Sequence, residues 1–171
     1  MRYARFALFV GLLGCAPWAA GQSPGDFSGT WMMDPARSES AHQDVPIRPS
    51  TLLIRVTATE IIMETTRSEG GKPAAFHETL TLRLDGSDTT GASDTDATVA
   101  GKAHWDGGKL VVETSREING ATVTTLYVHK LSANGLELTI DKTLTVQRGY
   151  QGLLSAKNMG HGVDVFVRGA R

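Results

Sequence analysis

Hydrophobic and polar residues alternate along most of the chain from residue 51 onward, with a period of two. That period predicts β-strands that have one buried and one exposed face. The segment 136–146 shows the pattern well, because one face carries only apolar side chains apart from Lys142. The apolar residues of that face are Leu136, Leu138, Ile140, Leu144 and Val146. No segment has a convincing helical period, so the pattern predicts an all-β protein.

Short turn sequences join the alternating segments into hairpins. Asp85-Gly86, Asp106-Gly107 and Asn119-Gly120 each lie beside such a segment. Asp-Gly and Asn-Gly pairs favour tight hairpin turns, because these turns need residues that tolerate positive φ. Eight segments have a clear strand pattern, and a short strand near Thr89 would make nine. Residues 149–162 contain four glycines and are expected to be irregular.

The order of the hairpins predicts how the sheet ends. A meander of consecutive hairpins leaves two unpaired edge strands, which are an association hazard unless the sheet closes on itself. We therefore expect a single antiparallel up-and-down β-barrel of eight to nine strands. Closure would place the terminal strand, residues 163–168, beside the first strand, residues 28–33.

Two motifs, in the first and last strands, carry a family resemblance. Phe27-Ser28-Gly29-Thr30-Trp31 begins the first strand, and Val163-Asp164-Val165-Phe166-Val167-Arg168 forms the last. This combination resembles the lipocalin-like (calycin) proteins, in which the arginine caps the tryptophan at the closed end of the barrel. The resemblance implies structural roles for Gly29, Trp31 and Arg168. An arginine guanidinium over an indole contributes about 0.5–2 kcal/mol, depending on how dry the site is.

Three further motifs narrow the resemblance to secreted bacterial lipocalin-like proteins, which are mostly of unassigned function. These motifs are Asp34-Pro35-Ala36-Arg37-Ser38, Trp105-Asp106-Gly107-Gly108-x-Leu110 and Leu131-Ser132-x-x-Gly135-x-x-Leu138-Thr139. The resemblance covers residues 22–171, so we expect one lipocalin-like barrel domain there. A lipophilic ligand follows from it only as an analogy, because one fold serves many functions.

Residues 1–21 have the organisation of a secretory signal peptide. Arg2 and Arg5 precede an apolar run from Phe6 to Leu13, and Ala19-Ala20-Gly21 suits a signal peptidase. The alternative is a lipid anchor, because Leu12-Leu13-Gly14-Cys15 is close to a bacterial lipobox. The apolar run is shorter than the roughly 20 residues of a transmembrane helix. Both readings predict a secreted or periplasmic protein, without a transmembrane segment.

The net charge and the cysteine content limit the expected partners and the expected chemistry. Loss of residues 1–21 would leave 15 basic and 18 acidic side chains, a net charge of −3, without a basic cluster. Nucleic acid is therefore not an expected partner. Cys15 is the single cysteine, so a mature domain has no internal disulfide and no thiol chemistry. The sequence does not indicate an oligomeric state.

The larger side chains of the predicted core are the candidate ligand contacts. Trp31, Phe76, Trp105 and Tyr127 either line a cavity or simply pack the core, because a barrel of this size can be filled or can hold one small ligand. We expect a non-enzymatic binder of a small apolar or amphipathic molecule. The principal alternative is a solid barrel that serves as a structural or interaction module of the cell envelope.

Glu78 is the remaining candidate ligand contact, because it shares the apolar face of its strand with Phe76 and Leu80. Lys142 is placed in the same way on another strand. Burying an unpaired charge is costly, so these residues either lie at the barrel mouth or pair inside as a polar anchor for a ligand. No catalytic motif is present, and no metal or cofactor is expected. A barrel enzyme remains the least favoured reading.

Overall fold

The computed structural model describes residues 25–41, 46–69, 72–93, 99–148 and 156–169. The predicted signal peptide and Cys15 lie outside these residues. A short 3-10 helix at Pro35–Arg37 follows the first strand. The strands are β1 (Gly29–Met33), β2 (Ser50–Val56), β3 (Glu60–Glu69), β4 (Lys72–Arg83), β5 (Thr89–Ser93), β6 (Val99–Asp106), β7 (Lys109–Ile118), β8 (Ala121–Leu131), β9 (Glu137–Arg148) and β10 (Ala156–Arg168).

These strands form one closed antiparallel barrel in which every strand pairs with its neighbours in sequence. β10 also pairs with β1, and Trp31 lies directly opposite Arg168 in that register. The predicted closure between the first and last strands is therefore confirmed. Closure gives each of the described strands two partner strands, which removes the association hazard of an open meander.

The described residues form ten strands, so the expectation of eight to nine was wrong. Alternating segments form nine of these strands, one more than the eight counted from the sequence, and the stretch around Thr89 adds β5. This short strand is a full member of the barrel, because Thr89 pairs with Gly101 of β6 and Thr79 of β4 pairs with Ala92. The sequence of β5 is mostly Thr, Gly, Ala and Ser, which hides its alternation.

The last strand also begins earlier than expected. β10 starts at Ala156 and pairs continuously with β9, although residues 149–162 were expected to be irregular. Gly160 and Gly162 occupy positions of the same parity as Phe166, which faces the interior. Because glycine has no side chain, these positions show no hydrophobic alternation in the sequence, and a strand detected by its period of two is missed there.

The interior is filled in the half of the barrel that contains Trp31. Fully buried side chains there come from the segment just before β1 and from strands around the ring: Phe27, Trp31, Ile54, Ile61, Leu82 and Leu110. We refer to this half as the closed end. The opposite half, the open end, contains Ser50 of β2, Arg67 of β3, Phe76 of β4 and Lys142 of β9.

The connection between β1 and β2 borders the open end. Glu39 forms a two-way backbone bridge with Val163 of β10, with N–O distances of 2.6 and 2.9 Å. A Cβ atom at Gly162 would lie 2.6 Å from the backbone oxygen of Glu39. The glycine positions of β10 therefore let residues 39–41 run close against the strand, which brings the connection to the mouth.

Candidate ligand-binding cavity

The closed end is sealed by the predicted tryptophan and arginine. Trp31 is fully buried, and its indole N–H donates a 2.9 Å hydrogen bond to the carbonyl of Phe27. The Arg168 guanidinium carbon lies 4.2 Å from the centre of the indole ring. The guanidinium also donates to the carbonyls of Asp26, Ser28 and Gly135 at 2.7–2.8 Å. Both polar groups therefore have hydrogen-bond partners at this tightly packed end of the barrel.

Gly29 makes this close approach possible. Its φ of +136° is a backbone conformation that residues with a side chain rarely adopt. A Cβ atom there would lie 2.8 Å from Nη1 of Arg168. Glycine at this position therefore allows the arginine to reach both the indole and the carbonyl of Ser28.

A cavity of about 100 Å³ lies inside the barrel above this packed end. Its apolar wall is formed by Leu52, Met63, Leu80, Val112, Ile140 and Phe166. Its polar lining includes Glu78, Tyr127 and His129. This inner cavity has room for a few non-hydrogen atoms, since one water occupies about 30 Å³ of liquid.

A second cavity of about 360 Å³ forms the mouth of the barrel. The β1–β2 connection contributes Pro46, Ile47 and Arg48, and the strands contribute Phe76 and Lys142 among others. Met33, Arg67 and Asp164 line both cavities, so the inner cavity adjoins the mouth. The mouth volume lies within the roughly 300–1,000 Å³ that is usual for small-molecule sites.

Two ion pairs lie inside the open half. Lys142 Nζ is 2.6 Å from Asp164 Oδ1, and both side chains are less than one-fifth exposed. Arg116 Nη1 is 3.1 Å from Glu78 Oε1. Glu78 and Lys142 therefore do not pair with each other, and each has a separate partner of opposite charge.

Glu78 is the less completely satisfied of these ions. The residue is 8% exposed, and its Oε1 is buried but accepts no hydrogen bond among the described residues. Arg116 is close enough for charge compensation, but its N–H groups do not point along a hydrogen bond to that oxygen. The carboxylate therefore retains acceptor capacity beside the inner cavity.

His129 adds a second acceptor to the cavity wall. Its Nδ1 lies 3.2 Å from the carbonyl oxygen of Leu110, which fixes the tautomer with a proton on Nδ1. Burial lowers the pKa of His129 to about 4, against the opposing effect of this hydrogen bond. The ring is therefore neutral at pH 7, and Nε2 carries a lone pair.

The predicted ligand contacts fall into two groups. Glu78 and Tyr127 line the inner cavity, and Phe76 lines the mouth, where Arg67 stacks over its ring at 4.7 Å. Trp31 and Trp105 line neither cavity. Trp105 packs against Phe27 at a ring separation of 5.4 Å, so both tryptophans serve the closed end instead. The bulk that made them candidates fills the core there.

Several residues at or beside the cavities were missed by sequence reasoning. Arg116 and Asp164 were not singled out, because only the barrel register brings each of them to its partner on another strand. His129 lies on the same face of β8 as Tyr127, and that period of two was the available signal. Among the described residues, no group of three or more His, Cys, Asp or Glu side chains is arranged to hold a metal ion.

Three solved structures are similar to this chain in fold. Apo lipid binding protein 8 of Caenorhabditis elegans matches with a TM-score of 0.54 and 13% identity, over 88% of this chain and 100% of that chain. A secretary abundant heat soluble protein of Ramazzottius varieornatus matches with a TM-score of 0.52 and 13% identity, over 84% and 95%. Echinococcus granulosus fatty-acid-binding protein 1 matches with a TM-score of 0.50 and 13% identity, over 84% and 98%.

No protein-family model and no curated protein sequence matches the chain. In the described part of the chain, no helix is long and apolar enough to cross a membrane. At 13% identity, the structural matches show similarity of fold alone. The chain has the calycin-like β-barrel fold.

Proposed function

We propose that this protein binds a small amphipathic molecule through the open end of the barrel, without catalysing a reaction on it. The observation that carries the proposal is that the inner cavity adjoins the mouth and shares Met33, Arg67 and Asp164 with it. A path from solvent to an interior that is apolar on one side and polar on the other suits an amphipathic ligand. Structural neighbours named for lipid and fatty-acid binding support the same reading.

The dimensions constrain the ligand. The inner cavity of about 100 Å³ accommodates only one end of a molecule, whereas the mouth of about 360 Å³ accommodates its larger part. The ligand is therefore bound mainly at the open end and reaches inward with a narrow group. A long chain coiled within the whole barrel does not fit, because the closed end is packed.

We also propose that the protein acts outside the cytoplasm, in the periplasm or the extracellular medium. Support comes from the sequence of residues 1–21. Mass spectrometry of the protein purified from its host tests this proposal, because cleavage after Gly21 and acylation of Cys15 give different masses. A chain that retains residues 1–21 would contradict it.

Binding is tested by comparing native and denatured mass and by titration with the fluorescent probe anilinonaphthalene sulfonate. We expect Thr65→Phe to weaken probe binding by about tenfold or more, because residue 65 lines the inner cavity and an added ring occupies the binding volume. Thr66→Phe is the matched control, since residue 66 has the opposite parity on β3 and should leave binding unchanged.

The rival function is a solid barrel that acts through its surface. The filled closed half of the interior is the observation that favours it. A protein that carries no extra mass from its host and binds no probe would support this rival. If Thr65→Phe and Thr66→Phe affect probe binding equally, the probe binds outside the cavity. That result would contradict the proposed site.

A further inference from the structure

The buried carboxylate of Glu78 indicates which kind of polar group suits the inner cavity, whereas the apolar wall does not. Glu78 lies opposite Thr65 of β3 and Ser93 of β5 in the strand register, midway along β4. Its neighbour of the same parity toward the closed end is Leu80, which is buried. The carboxylate thus sits where the cavity changes from open mouth to packed core.

Burial of this carboxylate is only partly compensated. An ionised carboxyl group removed from water is strongly destabilising unless it is paired and hydrogen-bonded. Arg116 supplies the opposite charge at 3.1 Å, but Oε1 accepts no hydrogen bond in the described part of the chain. An acceptor left in this state next to a cavity favours any occupant that brings an N–H or O–H group.

The other polar groups around the inner cavity differ with their distance from the mouth. Arg67, a hydrogen-bond donor, lines both the inner cavity and the mouth, and it lies opposite Phe76, one inward-facing position toward the mouth from Glu78. His129 lines the inner cavity only, donates its Nδ1 proton to the carbonyl of Leu110 and leaves Nε2 as an acceptor. The hydroxyl group of Tyr127 can donate or accept. A ligand carboxylate that lies beyond Arg67 would therefore meet the carboxylate of Glu78 and the nitrogen lone pair of His129.

We propose that the inner cavity is a subsite for a hydrogen-bond-donating group of the ligand, which donates to the carboxylate of Glu78. This inference rests on the proposed binding function and specifies its ligand class. The inner end of the ligand carries a hydroxyl, amide or amine N–H group, and the apolar body lies against the wall of the mouth. Molecules whose only polar group is a carboxylate, such as simple fatty acids, are disfavoured at this subsite.

The test uses three probes with the same alkyl chain: decanol, decylamine and decanoate. Each displaces anilinonaphthalene sulfonate from the full-length mature protein. We expect decanol and decylamine to compete at concentrations about tenfold lower than decanoate, because a hydrogen bond to a charged acceptor is worth a factor of this size. Equal competition by all three, or a preference for decanoate, would overturn the proposal.

The Glu78→Gln variant then assigns the preference to one residue. Loss of the carboxylate should weaken decylamine about tenfold and strengthen decanoate, because Arg116 no longer has a negative partner. Glu113→Gln is the matched control, since Glu113 pairs with Lys102 at 2.9 Å on the outer surface. An unchanged ratio of amine to acid affinity in Glu78→Gln would contradict the assignment.

Two safeguards keep the result interpretable. The order of the three probes on the unmodified protein needs no substitution, so it remains decisive if Glu78→Gln fails to fold. Failure of the binding function is also distinguishable from failure of the subsite. In the first case no probe binds at all, whereas in the second the probes bind without regard to their polar group.

Discussion

The two ends of the barrel treat buried polar groups in opposite ways. At the closed end, the Trp31 indole N–H and the Arg168 guanidinium donate four hydrogen bonds to backbone carbonyls. At the open end, Glu78 is buried with an oxygen that accepts none from the described residues. Since fully satisfied networks stabilise and unsatisfied ones destabilise, the difference separates an end that holds the fold from the end that we propose binds a ligand.

The packing of the two ends differs in the same direction. The closed end is filled by aromatic and branched aliphatic side chains, whereas the open half contains two ion pairs and two adjoining cavities. Proteins commonly place strain and incomplete satisfaction at functional sites and compensate for them elsewhere. The comparison predicts that substitutions at the closed end change stability, whereas substitutions at the open end change mainly binding and pH dependence.

The largest effect is expected from Trp31→Ala at the closed end. Removal of a fully buried indole leaves a large cavity and removes the support for Arg168, so the free energy of unfolding should fall by about 3–5 kcal/mol. Chemical denaturation followed by fluorescence measures it. Met32→Ala is the control, because Met32 is 54% exposed and should change stability little. Similar losses of unfolding free energy in both variants would show that the packing of the closed end contributes no more to stability than an exposed side chain does.

The next effect is a loss of stability at acidic pH that originates in the open half. The pKa of His129 is lowered from about 6.5 in the unfolded chain to about 4 in the folded one. Between these values the unfolded state binds more protons, so stability is retained above pH 6.5 and falls by up to about 3 kcal/mol as the pH decreases to 4.

Denaturation at several pH values tests this dependence. His129→Gln should flatten the stability profile between pH 6.5 and 4, since the substituted residue does not titrate. His104→Gln is a suitable control, because His104 is exposed on the outer face of β6. A profile that keeps its full slope in His129→Gln would assign the pH dependence to other groups.

Arg168→Met sharpens the comparison at the closed end. The substitution keeps an apolar stem over Trp31 but leaves the carbonyls of Asp26, Ser28 and Gly135 without their donor. We expect a loss of about 2 kcal/mol in unfolding free energy, with probe affinity unchanged. Lys130→Met on the outer surface removes a pair with Asp141 and should cost less than about 1 kcal/mol. Weakened probe binding in Arg168→Met would indicate that the two ends are coupled.

The smallest effect concerns the Lys142 and Asp164 pair at the mouth. Asp164→Asn leaves a lysine in a mostly buried position and should cost about 1 kcal/mol, after discounting for its partial exposure. The double variant Lys142→Met/Asp164→Leu should recover most of that stability, because an apolar pair needs no charge compensation. Failure of the double variant to recover would mean that the pair stabilises the mouth beyond mutual compensation.

The sequence was sufficient for the barrel and its closure because these depend on local periods and turns. The face shared by Leu136, Leu138 and Ile140 and the glycine turns gave the strand order, and the edge argument led to the pairing of Trp31 with Arg168. The early part of β10 was missed because Gly160 and Gly162 leave its inward positions empty. Alternation is informative only where side chains are present.

The candidate site was less accessible from sequence for a different reason. Glu78 and Lys142 stood out as charged residues on apolar faces, but their partners Arg116 and Asp164 are set by the register of other strands. Trp31 and Trp105 were candidate ligand contacts because of their size, with core packing as the alternative, since size fits a packed end equally well. Whether a large residue lines a cavity depends on its height along the barrel axis, and a period of two contains no information about height.

The contact between Trp31 and Arg168 has a consequence for the order of folding events. It joins the first and last strands, and closing so long a loop has a high entropic cost before any contact energy is gained. The hairpins formed by sequence neighbours are expected to assemble first, and this contact last. Substitutions at Arg168 should then accelerate unfolding and leave the folding rate nearly unchanged. The arginine therefore slows the unfolding of the closed barrel without helping it to form.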